Sequence, residues 1–211
     1  MTGKTAQPDW TQEERRLARD MLPYLVQTGW IESRRRQQSV DHEGRPLPWI
    51  TYPALSFLAS RITPRMSVFE FGSGNSTLWW AERVADVTAV EHDESWATRV
   101  AERMPANASV THVPLVAGGD YSHHAQRSGR RYNVVVVDGR DRVNCAVSSV
   151  ETLTPDGVMI WDNTERRRYA VGLRRLEKAG FRRIDFRGPA PINTFESQTS
   201  VLYRPGNCLD I

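Results

Sequence analysis

From residue 67 onward, short apolar runs alternate with stretches whose apolar residues recur at helical spacing. The runs predict strands, and most of the stretches between them predict helices. The predicted strands cover residues 67–71, 87–91, 109–113, 133–138, 158–162, 181–186 and 200–204, and the predicted helices cover 77–85, 94–104, 145–153 and 166–179. This alternation is typical of a mostly parallel sheet with helices on both faces. The four valines at 134–137 suit a central strand that is buried on both sides.

The N-terminal part of the chain carries a different pattern. Apolar residues recur at helical spacing, and Thr11 with Glu14 has the form of a capping box, so one helix is predicted over residues 10–29. A further helix is predicted over residues 54–62. We therefore expect residues 1–66 to form an N-terminal helical extension and residues 67–211 to form the ligand-binding domain.

The stretch between these two helices is polar and rich in arginine up to residue 45, and then aromatic and rich in proline over residues 46–53. Prolines restrict the second part to extended or turn geometry. It is either a covering loop that buries Trp49 against the core or a lid that contributes Trp49 and Tyr52 to the walls of a pocket.

A glycine turn follows the first predicted strand and opens the next helix. Gly72 and Gly74 allow a tight turn and a close approach of a ligand to the backbone. Glu70 precedes them, and Glu91 ends the next strand about twenty positions further on, where an acidic residue can bind ribose hydroxyls. A dinucleotide-binding loop would carry a third glycine at the place of Thr77.

This pattern, Glu70-x-Gly72-x-Gly74 and then a strand that ends in Glu91, resembles the class I S-adenosylmethionine-dependent methyltransferases. The resemblance implies an α/β fold: a Rossmann-like, doubly wound, mostly parallel seven-stranded sheet with an antiparallel C-terminal hairpin. It also implies S-adenosylmethionine as the cofactor. Trp96, in the helix after Glu91, is expected in the core, with contact to adenine as the alternative. We expect the cofactor contacts to come from Glu70, Gly72, Ser73, Gly74, Asn75, Ser76, Thr77, Glu91, His92, Asp120, Tyr121 and Asp138.

Polar side chains also end the fourth and fifth predicted strands. Asp138 ends the fourth strand, and Asp162 and Asn163 end the fifth. Their placement is similar to that in the catechol O-methyltransferase group, in which an Asp and an Asp-Asn pair bind a divalent ion. The resemblance therefore makes Asp138, Asp162 and Asn163 candidate ligands of Mg²⁺, an ion that prefers such oxygen donors. The alternative is that these residues cap the adjoining helices and end the strands.

The same resemblance indicates the catalytic groups. That group has a lysine base three residues after its first metal-binding Asp, and the residue at this position here is Asp141. Without a metal, Asp138 and Asp162 could orient an acceptor hydroxyl or amine while Asp141 or a histidine takes its proton. The candidate catalytic residues are therefore Asp138, Asp141 and Asp162.

Charge and composition limit the classes of partner that we expect this protein to bind. The formal charge is +3, but the arginines are dispersed among acids, and only residues 34–36 and 166–168 form basic runs. Each run is either a solvated helix face or a contact for a carboxylate or phosphate on the substrate. No separate RNA-binding module is evident, so no nucleic-acid partner is expected. No apolar run is long enough for a membrane span and the N-terminus lacks a signal-peptide core, which favours a cytoplasmic protein without a membrane partner.

The sequence thus predicts a methyltransferase that uses S-adenosylmethionine to modify an oxygen or nitrogen of a small molecule. Mg²⁺ is a candidate second cofactor, and a homodimer is a candidate oligomeric state. Three alternatives stay open at this point. They are a nucleotide-binding oxidoreductase, a non-catalytic binding subunit of the same fold, and an RNA methyltransferase.

Overall fold

The computed structural model describes residues 10–211, so the first nine residues of the predicted extension lie outside the described residues. The strands are β1 (Ser67–Phe71), β2 (Asp86–Glu91), β3 (Ala108–His112), β4 (Tyr132–Val137), β5 (Leu153–Asp162), β6 (Arg182–Gly188) and β7 (Ser197–Tyr203). The helices are α1 (Gln12–Asp20), α2 (Leu22–Gln27), α3 (Trp30–Arg36), α4 (Tyr52–Ala59), α5 (Asn75–Ala81), α6 (Glu94–Ala101), α7 (His124–Arg127), α8 (Arg142–Ser148) and α9 (Ala170–Lys178). Short 3-10 turns cover Ser149–Thr152 and Arg167–Tyr169. Within residues 10–211, no helix is long and apolar enough to cross a membrane.

The seven strands of the described residues form one sheet with the order β3-β2-β1-β4-β5-β7-β6. The first five strands in this order are parallel, and β7 runs antiparallel to both β5 and β6. The predicted seven-stranded, mostly parallel sheet with an antiparallel C-terminal hairpin is thereby confirmed. From the central pair β1 and β4, the strand order continues to β2 and β3 on one side and to β5, β7 and β6 on the other. The crevice between the carboxyl ends of these two strands is therefore the switch point at which such sheets bind ligands.

The sheet carries an apolar layer on each face. Val134 and Val136 of β4 belong to one layer, and Val135 and Val137 belong to the other. All four are buried, which confirms the prediction of a central strand covered on both sides. Because both faces are covered by apolar packing, the strand ends are the places where the sheet presents polar groups.

The N-terminal helix prediction is only partly right. The capping box is present, since Glu14 N donates to Thr11 Oγ1 at 3.2 Å and Thr11 N donates to Glu14 Oε2 at 2.7 Å. The helix is nevertheless interrupted at Met21, because Pro23 has no N–H to donate to the carbonyl four residues before it. A third helix, α3, covers a polar stretch for which the sequence predicted none.

The chain before β1 packs on the sheet. Ile50 and Leu58 share an apolar layer with Val68 of β1. Thr51 N donates to Thr199 Oγ1 of β7 at 3.0 Å. The division of the chain into two parts at residue 66 stays a prediction. Residues from before and after this position contribute to the same apolar layer.

Candidate active site

A crevice of about 580 Å³ lies at the carboxyl ends of β1, β2 and β4. The turns after these strands form most of its wall, and residues of α5, α6 and α8 and of the segment before α4 complete it. This is the edge of the sheet at which the sequence predicted the cofactor. The structure brings these predicted cofactor residues to it: Glu70, Gly72, Ser73, Ser76, Glu91, His92 and Asp138.

The turn after β1 lies against the turn after β4. Gly72 has a φ of 95°, a left-handed conformation that favours glycine, and a Cβ there would lie 3.2 Å from Gly139 Cα. A Cβ on Gly139 would in turn overlap the hydroxyl of Tyr121 and lie 2.9 Å from Gly72 N. Both positions therefore require glycine for the strand ends to meet. Gly139 is a site residue that the predicted cofactor set did not include.

Thr77 supports the turn from within. Its hydroxyl donates to Glu70 Oε2 at 2.6 Å and accepts from Gly74 N at 3.0 Å. Glu70 and Thr77 are both buried. Burial raises the pKa of Glu70 to about 8, although hydrogen bonds from Ser76 and Thr77 favour the ionised form. Thr77 thus fixes an acidic side chain that lines the crevice, whereas a glycine at this place could not.

Glu91 is fixed at the end of β2 by backbone amides. Its Oε1 accepts from His92 N at 2.7 Å and from Asp93 N at 3.1 Å, and its Oε2 accepts from Ser73 N at 3.2 Å. His92 Nδ1 lies 2.6 Å from the same Oε1. Glu91 and His92 both line the crevice. The carboxylate can accept further hydrogen bonds, as the predicted contact with a ribose diol requires.

Two tryptophans also line the crevice. Trp96 is 41% exposed, and its Nε1 donates to Ser73 O at 2.8 Å, so the expectation that it lies in the core is wrong. Trp49 is 45% exposed, and its Nε1 donates to Asn193 Oδ1 at 3.3 Å. Of the two alternatives for Trp49, the structure therefore contradicts burial against the core and agrees with a place in the pocket wall. Such rings suit contact with a planar base.

A smaller cavity of about 190 Å³ adjoins the crevice and is lined by Asn75. Asn75 Nδ2 donates to Ser39 O at 2.8 Å, which joins the glycine turn to the segment between α3 and α4. Trp49 from the same segment lines both cavities, whereas Tyr52 is buried. The segment therefore covers the crevice with one of its two predicted aromatic residues.

Five predicted cofactor residues do not line the crevice. Gly74 and Asn75 line the smaller cavity that adjoins it, and Thr77 is buried in α5. The remaining two are Asp120 and Tyr121. Asp120 is exposed and pairs with Arg127. Tyr121 is fully buried, and its ring packs against Phe71 with the ring centroids 5.9 Å apart. The Tyr121 side chain is apolar over most of its surface, so packing in the core stabilises it there, and its hydroxyl lies beneath the turn after β4.

The predicted base Asp141 does not reach the crevice either. It precedes α8 in a left-handed conformation with a φ of 49°. Its Oδ2 accepts from Gly118 N at 2.7 Å, and its Oδ1 accepts from Asn144 Nδ2 at 2.8 Å. The residue lines a neighbouring cavity instead. These two hydrogen bonds hold the Asp141 carboxylate at the neighbouring cavity, away from the crevice.

Arg142 connects the ends of β4 and β5. Its Nη2 lies 2.8 Å from Asp138 Oδ1, and its Nη1 lies 3.8 Å from Asp162 Oδ2 and 3.4 Å from Asn163 Oδ1. Burial raises the pKa of both Asp138 and Asp162, and the guanidinium opposes this rise. Sequence reasoning missed Arg142. The available signal was its position four residues after Asp138, at the start of a helix predicted to begin only at residue 145.

The place between these three residues does not fit the predicted divalent ion, because the Arg142 guanidinium already occupies it. The three predicted ligands, Asp138, Asp162 and Asn163, all face the same guanidinium group. Asp162 Oδ1 also accepts from Thr199 Oγ1 at 2.6 Å. Within residues 10–211, no three His, Cys, Asp or Glu side chains are grouped so that they could hold a metal ion.

Known structures with the same fold are methyltransferases and related proteins. A candidate O-methyltransferase from Klebsiella pneumoniae is 16% identical with a TM-score of 0.59, and the match covers 92% of this chain and 97% of that chain. An rRNA methylase from Streptococcus thermophilus is 14% identical with a TM-score of 0.56, covering 74% and 99%. A candidate methyltransferase from Streptococcus mutans, solved in complex with S-adenosylhomocysteine, is 12% identical with a TM-score of 0.53, covering 73% and 99%. No family model and no curated protein matches the sequence. The chain therefore has the fold of the S-adenosylmethionine-dependent methyltransferases.

Proposed function

We propose that this protein transfers a methyl group from S-adenosylmethionine to an oxygen or nitrogen of a small molecule. The observation that supports this most is the crevice in which Glu70, Gly72 and Glu91 come together on a methyltransferase fold. Its volume of about 580 Å³ lies within the usual range of cofactor sites, roughly 300–1,000 Å³. A dinucleotide-binding oxidoreductase is less well supported, because Thr77 replaces the third glycine of that motif with a hydroxyl bound to Glu70.

The residues that line the crevice suit the parts of this cofactor. Glu91 would accept hydrogen bonds from the ribose hydroxyls, and Trp96 would contact the adenine ring. The carboxyl groups of Glu70 and Asp138 would face the positively charged amino group and sulfonium. Backbone at Gly72 lies open to the crevice, because no side chain covers it.

Bound S-adenosylmethionine would supply a methyl group on a positively charged sulfur, which needs no further activation. The protein would hold the acceptor in line with that methyl group and keep water out. Asp138 lines the crevice with a side chain that is 24% exposed, so it would accept a hydrogen bond from the acceptor and orient the attacking lone pair. Asp162 is buried behind it and would act through Arg142. Asp141 remains a candidate base from the neighbouring cavity.

The test of cofactor binding is calorimetry with S-adenosylhomocysteine and, separately, with NAD. We expect S-adenosylhomocysteine to bind and NAD not to bind. Glu91→Ala should weaken binding by about tenfold or more, since a hydrogen bond to a charged group contributes roughly 1.5–3 kcal/mol. Glu94→Ala is the matched control, because Glu94 is an exposed acid nearby that does not line the crevice. Binding of NAD alone would favour the oxidoreductase, and binding of neither ligand would favour a non-catalytic subunit.

The acceptor class has its own test. Cell extract would be incubated with the protein and with cofactor labelled on the methyl group, and the label would be followed by mass spectrometry. We expect the label in the small-molecule fraction. Label in RNA would contradict the small-molecule proposal, and RNA is the class that the rRNA methylase among the structural neighbours modifies. A cytoplasmic location stays a prediction.

A further inference from the structure

One guanidinium group is held tightly between the ends of β4 and β5. Arg142 Nε donates to Gly139 O at 3.0 Å, Nη1 donates to Asp162 O at 2.6 Å, and Nη2 donates to Asp138 O at 2.8 Å. The same two Nη atoms face the carboxylates of Asp138 and Asp162, and the side chain is only 10% exposed. The buried ring of Tyr169 lies on one side, 5.8 Å from Cζ. These contacts hold the planar group in a single orientation.

We propose that Arg142 is the fixed cation of this site and takes the place that a divalent metal ion would need between Asp138 and Asp162. A metal ion could bind both carboxylates only by displacing the guanidinium. Methyl transfer by this protein therefore requires no divalent ion. Arg142 is a positioning residue in this proposal, because it holds the Asp138 carboxylate at the wall of the crevice.

The charges at the two strand ends explain why a cation is needed there. The strands are paired in register next to these residues, with Val137 opposite Trp161, so the following carboxylates of Asp138 and Asp162 lie on neighbouring strands and repel each other. Without Arg142, two carboxylates and the amide oxygen of Asn163 would remain in a largely buried place. That is a donor set for a hard divalent ion. Removal of the arginine should therefore create the metal site that the sequence predicted.

The test is a titration of the full-length protein with Mn²⁺, in which binding is measured as loss of the electron paramagnetic resonance signal of the free ion. The wild-type protein should leave Mn²⁺ free. Arg142→Ala should bind Mn²⁺ at least about tenfold more tightly than wild type, because two buried carboxylates have lost their counter-ion. Addition of Asp162→Asn to this variant should remove the gain. Arg140→Ala is the matched control. Arg140 lies two residues before Arg142, and this substitution removes the same charge from an exposed side chain.

Each arm of the titration can overturn the proposal. Mn²⁺ binding by the wild-type protein that Asp162→Asn abolishes would overturn it, and this arm does not depend on whether an arginine variant folds. A folded Arg142→Ala protein that binds no Mn²⁺ would also overturn it, because the vacated place would then not be one that a metal ion can take. Arg142→Lys keeps a positive charge and should bind no Mn²⁺. Equal gains in the Lys and Ala variants would overturn the assignment of the effect to charge.

A second observation concerns the cavity beside the crevice, which measures about 300 Å³ and is lined largely by basic residues. Asp141 is the one acid among the described lining residues. It already accepts hydrogen bonds from Gly118 N and Asn144 Nδ2. The cavity meets the crevice at the turn after β4, which lines both. The arginines that line it are Arg140, Arg142, Arg166 and Arg168.

We infer, on the basis of the proposed methyl transfer, that the acceptor carries a carboxylate or a phosphate that these arginines bind. Arg142 is neutralised by two carboxylates, and Arg166 Nε lies 3.7 Å from Glu165 Oε1. Arg140 and Arg168 are therefore the main groups left to pair with an anion. Arg168 is held in place by Tyr169, whose hydroxyl accepts from its Nη2 at 3.1 Å. A guanidinium fork matches either anion with two parallel hydrogen bonds. The basic run at 166–168 would then be, in part, a substrate contact rather than only a solvated helix face.

The test uses inorganic phosphate and malonate as probes and measures the rise in the midpoint of thermal unfolding, since a ligand that binds only the folded state raises it. At least one anion should stabilise the wild-type protein, and the Arg140→Gln/Arg168→Gln variant should lose most of that rise. Arg174→Gln/Arg175→Gln removes the same charge from the exposed face of α9 and should respond like wild type. A response to phosphate alone would assign a phosphate, and a response to malonate alone would assign a carboxylate.

No response of the wild-type protein to either anion, or an equal response of the Arg140→Gln/Arg168→Gln variant, would overturn this inference. Calorimetry with S-adenosylhomocysteine on the same proteins separates it from the proposed function. If the wild-type protein binds S-adenosylhomocysteine but neither anion raises its midpoint of thermal unfolding, only the proposal of an anionic acceptor is contradicted. Absence of S-adenosylhomocysteine binding in the wild-type protein would contradict the methyltransferase itself.

Discussion

Glu70 shows how a single buried side chain can link the stability of this protein to pH. Its carboxyl group is buried at the end of β1, where Thr77 donates to it at 2.6 Å. Burial raises its pKa from 4.5 to about 8. The folded protein therefore keeps a proton on Glu70 between these pH values, whereas the unfolded chain releases it. The contribution of Glu70 to stability is present in full at low pH and declines as pH rises through about 8.

We expect Glu70→Gln to remove this contribution, because the amide cannot ionise. The midpoint of thermal unfolding of the variant, relative to wild type, should rise by several degrees between pH 5.5 and pH 8.5. Each unit of pKa shift corresponds to about 1.4 kcal/mol, and about 1 kcal/mol moves the midpoint of a domain of this size by roughly 2–4 °C. Scanning calorimetry of both proteins across this pH range is the measurement. Glu82→Gln, at an exposed acid after α5, is the control and should show no such trend. A constant difference between Glu70→Gln and wild type would contradict the shift.

At the scale of elements, the segment between α3 and α4 is the part of the chain that covers the crevice. It is held on both sides, since Arg34 Nη1 in the last turn of α3 donates to Ile192 O at 3.1 Å and Thr51 N donates to Thr199 Oγ1 at 3.0 Å. Between these points, Ser39 O accepts from Asn75 and Trp49 lines the crevice. A segment with fixed ends and a middle part over the ligand site is suited to a lid, which is one of the two alternatives that the sequence left open.

We expect bound S-adenosylhomocysteine to slow amide hydrogen exchange over residues 37–49. The ligand would contact Trp49 and stabilise the hydrogen bond between Ser39 and Asn75, which would lower the rate of local opening. Mass spectrometry of exchange with and without the ligand is the measurement, and α9 serves as the internal control because it lies away from the crevice. Unchanged exchange over residues 37–49, with ligand binding verified by calorimetry, would show that the segment is not a lid.

At the scale of the whole molecule, α1 and α2 have no buried residue, and most of the large apolar side chains from Leu17 to Val26 are exposed. An exposed apolar surface of this kind often marks a contact with another protein. A second copy of the chain would cover it in the homodimer that the sequence named as a candidate oligomeric state. The exposed apolar residues are Leu17, Met21, Leu22, Tyr24 and Val26.

We expect the protein to sediment as a dimer and the Leu17→Glu/Met21→Glu variant to sediment as a monomer, because the charges would be buried in the contact without partners. Sedimentation velocity over a range of concentrations is the measurement. Val171→Glu places a charge on the exposed face of α9 and should leave the dimer intact. A wild-type protein that is monomeric throughout would contradict this prediction.

Local patterns in the sequence specify the order and type of most elements and the residues at the strand ends. Glycine at the turn after β1, the capping box of α1 and the valines of β4 act through the conformations of neighbouring residues, which a local pattern specifies. Glu70 and Glu91 could be placed at one crevice because the carboxyl ends of parallel strands meet at the same edge. The break at Met21 followed from Pro23 and was also within reach of the sequence.

The group that occupies the space between the ends of β4 and β5 became evident only from the assembled fold. The Arg142 side chain contacts Asp162, twenty residues away along the chain, and no periodicity or motif specifies that contact. The same holds for Trp96 and Tyr121: the tryptophan lies on the crevice and the tyrosine in the core, although either ring could pack in either place. Such choices depend on which surfaces the assembled elements leave open, because side-chain packing and ion pairing act between residues that are distant in sequence.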